Sequence, residues 1–238
     1  MRIYLQKERK NQMHVYIEDN ISNFLTKVPT DPNLVNVIAE LRNILINYDA
    51  HTLLIENQRI LTENDLKCII FHRIKSSLTN IFFEIHSEEA DRISITDDYC
   101  VNLTEPNDID HQTTRTRKTD LTITLNPEVT HANTDVRKGH TLNGDHIDIE
   151  LKYIREGYNA AYLKDIRRDL CKLKYLVDPT VEHFNENDHG VNKFGIFILG
   201  FNKLSVLRRY LDHGLREKIN HFNTIDNVCI LLAHRDND

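Results

Sequence analysis

Glu150 and Lys152 stand two residues apart in Asp148-Ile149-Glu150-Leu151-Lys152-Tyr153-Ile154, and Asp120 lies upstream in Thr119-Asp120-Leu121-Thr122-Ile123. Two acids and one ammonium are the residue types that hold a divalent cation beside a phosphate group and supply positive charge to a phosphoryl transition state. Magnesium takes one or two protein carboxylates and leaves the rest of its octahedron to water and substrate phosphate. A cation held in this way lowers the pKa of a coordinated water and polarises the phosphoryl oxygen. The set therefore suits hydrolysis of a phosphodiester.

Such chemistry needs groups held rigidly relative to one another, since misplacement by an ångström is costly. The sequence supplies rigidity through strands. Both segments alternate apolar and polar residues, the period of a half-buried strand. Ile147, Ile149 and Leu151 then share one face, and Asp148, Glu150 and Lys152 the other, with Lys152 about 7 Å along the strand from Glu150. Asp148 is expected to be a solvated bystander on that face.

The remaining elements follow from periodicity and caps. Residues 1–58 read as a mainly helical N-terminal segment, punctuated by Pro29 and Pro32, with Leu34, Val37, Ile38, Leu41, Ile44 and Leu45 at helical spacing. Lys7, Arg9 and Lys10 form a short basic run ahead of it. A helix is expected from Thr62, an N-cap with Asp65 three residues later, and Leu66, Ile69, Ile70, Ile74 and Leu78 form its stripe. Residues 80–86 read as a strand, followed by polar loop to about residue 112. Residues 126–145 read as a long polar loop or an extra hairpin before the strand with Glu150. An amphipathic helix over 158–176 carries Leu163, Ile166, Leu170, Leu173 and Leu176 as its seam, and Lys164, Arg167, Arg168, Lys172 and Lys174 as its charge. The apolar run 194–201 reads as a strand buried on both faces, 203–220 as a basic helix and 228–233 as a last buried strand. Helices between buried strands predict an α/β fold around a mixed sheet, in a core spanning 59–238.

Composition sets limits. The chain has 238 residues, 40% hydrophobic and 28% charged, as in ordinary globular domains. No apolar run approaches the roughly 18 residues that cross a bilayer, and the N-terminus lacks a signal-peptide core, so a cytoplasmic protein is expected. Cys68, Cys100, Cys171 and Cys229 are widely spaced without a CxxC, and read as small buried residues in a reducing compartment. The net charge of −6 is not that of a protein binding nucleic acid by charge alone. Arg115, Arg117, Lys118, Arg137 and Lys138, flanking the acids in sequence, are candidates for phosphate contacts.

In these residues the chain resembles the PD-(D/E)XK nuclease superfamily, over about residues 60–234. Glu150-Leu151-Lys152 matches the E-x-K half of that motif, and Asp120 the preceding acidic ligand. Glu63, opening the helix from Thr62, resembles the acid many members place on their first core helix. The helix carrying Lys164, Asp165 and Arg168 is similar to the one following the E-x-K strand. Two departures stand out: Thr119 precedes Asp120 where the motif has proline, and the gap from Asp120 to Glu150 is long. The resemblance implies a restriction-endonuclease-like core and a magnesium- or manganese-dependent nuclease. Asp120, Glu150 and Glu63 would hold the metal, and Lys152 would orient water or stabilise the transition state. It further implies DNA as substrate, a role in restriction or anti-phage defence, and a homodimer or a defence-system partner subunit.

Two other readings stay open. One is a catalytically inactive protein of the same fold, serving as a nucleic-acid-binding or protein-docking module. The other is an interaction module whose charged strand face is merely solvated. His131, His140 and His146 lack a compact ligand spacing and are expected to be scattered surface residues, and His72, beside the apolar stripe of its helix, to be a packed or edge residue.

Overall fold

Thr62 does what its type and position predict. Its hydroxyl accepts from the Asp65 backbone N–H at 3.1 Å, and the Asp65 carboxylate accepts from the Thr62 N–H at 2.7 Å. This reciprocal cap starts a helix at Glu63 and so fixes where that acid leaves the backbone. The computed structural model describes residues 13–16, 32–51, 62–79, 83–87, 90–93, 115–131, 140–155, 157–177, 193–217, 219 and 228–235.

Within these residues the elements are β1 (Met13–Tyr16), α1 (Pro32–His51), α2 (Glu63–Ser77), β2 (Phe83–Ser87), β3 (Ala90–Ile93), β4 (Arg115–Lys118), β5 (Leu121–His131), β6 (His140–Ile154), α3 (Ala160–Val177), β7 (Lys193–Phe201), α4 (Leu204–Tyr210) and β8 (Val228–Arg235). Six strands form one mixed sheet in the order β1-β8-β7-β6-β5-β2, and β3 and β4 pair separately. The strands β6, β7 and β8 run parallel, while β5, β2 and β1 join antiparallel. The fold is α/β, with helices on both sheet faces.

Alternation along the strands divides the core in two. Ile147, Ile149, Leu151, Ile196, Ile198 and Leu231 pack beneath α1 and α2. Phe197, Leu199, Phe201, Ile230 and Leu232 pack beneath α3 and α4. Burial on both faces is what the long apolar runs of β7 and β8 require.

Two glycines of β7 let helices approach closely. A Cβ at Gly195 would lie 2.7 Å from Leu173 Cγ on α3, and one at Gly200 would lie 2.9 Å from the Tyr153 ring, with Leu66 of α2 behind it. Such separations are well inside van der Waals contact, so each glycine is a seat for what packs on it.

Several expectations are corrected. Residues 1–58 were expected as a helical segment ahead of the core, but β1 pairs with β8 at the sheet edge and α1 packs into the first core layer. The polar region 87–112 contributes the strand β3. Of the two forms expected for residues 126–145, loop or extra hairpin, the described residues take the second: β5 and β6 pair antiparallel as far as His131 and His140. The register shifts between Leu125 and Glu128, where Asn126 has φ 48° and Pro127 offers no N–H to the ladder. Arg137, Lys138, Lys7, Arg9, Lys10 and Cys100 lie outside the described residues. Of the other cysteines, Cys68 is exposed, Cys229 is buried and free, and Cys171 is buried and disulfide-bonded. No helix among the described residues is long and apolar enough to cross a membrane.

Candidate functional site

The strand β5 starts at Leu121, opposite Ile149, so β6 continues past it from Glu150 to Ile154. The backbone N–H groups of Leu151 and Tyr153 therefore need other acceptors. Side-chain carboxylates fill the gap. Asp120 Oδ2 accepts from Leu151 N at 2.9 Å, and Glu63 Oε2 accepts from Tyr153 N at 3.4 Å. Two acids far apart in sequence are thus brought to adjacent points on the strand that carries Glu150 and Lys152.

The ammonium groups complete the cluster. Lys152 Nζ lies 3.9 Å from Glu63 Oε2 and 3.1 Å from Asp169 Oδ2 on α3. Lys67, one turn after Glu63 on α2, places Nζ 3.8 Å from Asp120 Oδ1. Beneath α3, Lys172 Nζ contacts Glu150 Oε1 at 2.5 Å. The contact is a buried ion pair.

Depth separates the members. The Glu150 and Lys172 side chains are 4% and 8% exposed, against 22% for Asp120 and 38% for Glu63. Burial pushes the Glu150 carboxyl up to about 8; Lys172 opposes this, and Asp169 and Asp120 add to it. Glu63 is also held above its ordinary value, by burial first, with Lys152 pulling it down and Asp120 pushing it up. For Lys152, burial favours the neutral amine, but the Asp169 and Glu63 carboxylates outweigh it and raise its pKa.

Glu63, Asp120, Glu150 and Lys152, the residues singled out in sequence, are therefore one electrostatic cluster. Three further members were missed. Lys67 carried a signal, since it sits four residues after Glu63 on one helix face. By sequence Lys172 counts only with the charge of its helix and Asp169 is not singled out, but the structure turns both onto β6.

The face of β6 beneath α3 is not solvated, contrary to the expectation for Asp148. That residue is buried, and its Oδ1 accepts from Thr122 Oγ1 at 3.0 Å. The Thr122 hydroxyl pairs in turn with that of Thr119 at 2.8 Å. His146 is likewise buried, with Nδ1 3.2 Å from Thr124 Oγ1, and is not the surface residue expected. His72 is exposed on α2.

The donor set can be weighed against a divalent cation. Four acidic side chains (Glu63, Asp120, Glu150, Asp169) face three lysines (Lys67, Lys152, Lys172), and the charges of Asp120 and Asp169 help to hold the Glu63 and Glu150 pKa values up. A further positive charge would relieve that surplus, so the residues fit a cation. Among the described residues no three His, Cys, Asp or Glu side chains form a closed ligand group. Magnesium does not require one, being content with one or two protein carboxylates. No protein-family model matches this chain, and neither a curated protein nor a solved structure does.

Proposed function

We propose that this protein is a metal-dependent nuclease on a restriction-endonuclease-like core, hydrolysing phosphodiester bonds, with DNA as its substrate. One observation carries the reading. Asp120 and Glu63 dock on the β6 backbone at Leu151 and Tyr153, on either side of Lys152, while Glu150 lies buried at the root of the same cluster.

In this reading Asp120 and Glu150 hold magnesium or manganese, and Glu63, the most exposed acid, adjusts the shell from α2. When bound, such a cation supplies an acidified water and a polarised phosphoryl oxygen. Lys152, held by Asp169, orients the attacking water or carries positive charge toward the phosphoryl oxygens. Lys67, beside Asp120, adds a second ammonium within reach of a phosphate. Cleaving both strands of a duplex takes two such sites, which a homodimer or a partner subunit supplies. Restriction or anti-phage defence in the cytoplasm is the setting that belongs to this reading.

The test is incubation of the purified protein with duplex DNA, single-stranded DNA and RNA, in magnesium, in manganese and with a chelator. Cleavage of DNA that needs the metal is the expected outcome. Absence of cleavage of every substrate in both metals contradicts the reading.

A second reading has its own support. Each acid of the cluster already has a partner, Leu151 N–H and Lys67 for Asp120, Tyr153 N–H and Lys152 for Glu63, Lys172 for Glu150, and Lys152 for Asp169. A network satisfied in this way can serve structure alone, in a catalytically inactive nucleic-acid-binding or docking module. Metal titration separates the two, because the module binds no divalent cation at Glu150.

A further inference from the structure

The buried pair Lys172–Glu150 places an amino and a carboxyl group under a helix whose other buried residues are Leu, Ile, Val, Cys and Tyr. Helix α3 also carries Asp169 one turn earlier on the same side, in contact with Lys152. The two members of the E-x-K pair thus each have an oppositely charged partner three residues apart on one helix, antiparallel in order: Glu150 with Lys172, Lys152 with Asp169. Gly195 on β7 lets Leu173 of α3 sink against the sheet, which sets the height at which these partners meet β6. Removing one member of a buried pair strands the other, so the pairs hold their geometry firmly.

We propose that Lys172 and Asp169 are positioning residues for the site: Lys172 holds Glu150 as an oriented metal-ligating carboxylate, and Asp169 holds Lys152 toward the substrate phosphate. This rests on the metal-dependent reading above. Groups that orient a ligating side chain contribute about 10- to 100-fold to metal affinity when removed. The sign of the effect separates orientation from mere charge. Deleting a positive charge beside a carboxylate tightens cation binding by simple electrostatics, whereas losing the orienting partner weakens it.

The experiment is manganese binding followed by the loss of the free-ion electron paramagnetic resonance signal, on the parent, Lys172→Met and Lys172→Arg, each checked for folding by circular dichroism. Lys172→Met is expected to bind roughly 10- to 100-fold more weakly, with Lys172→Arg recovering most of the loss. Should Lys172→Met fail to fold, Lys172→Gln is read in its place. Equal or tighter binding by the folded variant overturns the role of Lys172 while leaving the nuclease reading intact. A parent that binds no manganese overturns both. For Asp169, Asp169→Asn is expected to lower kcat with KM unchanged and Asp169→Glu to restore it; unchanged kcat, or a loss confined to KM, overturns that half of the proposal.

Discussion

Asp120 Oδ2 accepts a hydrogen bond from the Leu151 backbone N–H at 2.9 Å, standing in for the strand partner that β5 no longer provides. The bond ties the two halves of the candidate motif together. It also gives Asp120 a structural duty alongside any chemical one, and the two can be pulled apart. An asparagine keeps an oxygen acceptor for Leu151, whereas alanine leaves that N–H without its acceptor. Asp120→Ala is expected to lose about 1–3 kcal/mol of stability and Asp120→Asn less, measured by urea denaturation. Equal losses would mean that the bond contributes nothing.

The pH dependence of folding should carry the signature of Glu150. Its carboxyl is raised from 4.5 to about 8 in the folded chain, chiefly by burial. Between those values the folded state holds a proton that the unfolded state has released. Stability therefore falls as pH rises through this window, and below it the group makes no difference. Glu150→Gln does not titrate, so the stability of the parent relative to this variant should decline from about pH 4.5 to about 8. Urea midpoints at several pH values give the comparison, and a difference that rises with pH contradicts the burial argument.

Gly195 seats α3 on the sheet. An added Cβ would meet Leu173 Cγ at 2.7 Å and both its methyl carbons at 3.1 Å, so Leu173 and the helix carrying it must give way. Gly195→Ala is expected to cost about 1–3 kcal/mol by overpacking. It should also weaken whatever the site binds, because Asp169 and Lys172 move with α3. A variant as stable as the parent in urea would show that the helix yields without cost.

Much of this arrangement is written in local pattern. Alternation places Glu150 and Lys152 on one face, the Thr62–Asp65 pair fixes the start of α2 and hence Glu63, and unbroken apolar runs mark β7 and β8 as central strands. What pattern does not carry is which polar face another element will cover. Asp148 and His146 look like solvated residues in an alternating strand, yet both are buried, because Thr122 and Thr124 across the ladder offer them hydrogen bonds. Lys172 looks like the outer face of a basic helix, yet it is the counter-ion of Glu150, a pairing between residues that only packing brings together. The same holds for β1, whose four residues, Met13–Tyr16, are too short to announce themselves without β8 beside them.

The proposed metal-dependent hydrolysis belongs to the cluster where β6 runs past the start of β5. Lys152→Met is the variant of choice, since Lys152 is no metal ligand and donates to no backbone group; because Asp169 and Glu63 lose their counter-ion in it, its folding is checked first by circular dichroism. Cleavage of duplex DNA in magnesium is compared between the parent and folded Lys152→Met, with Glu150→Gln alongside. Cleavage by the parent and a loss of roughly a hundredfold or more in each variant are expected, the scale of removing a charge-stabilising group from a transition state. Cleavage by Lys152→Met and Glu150→Gln at the parent's rate would contradict the proposed hydrolysis.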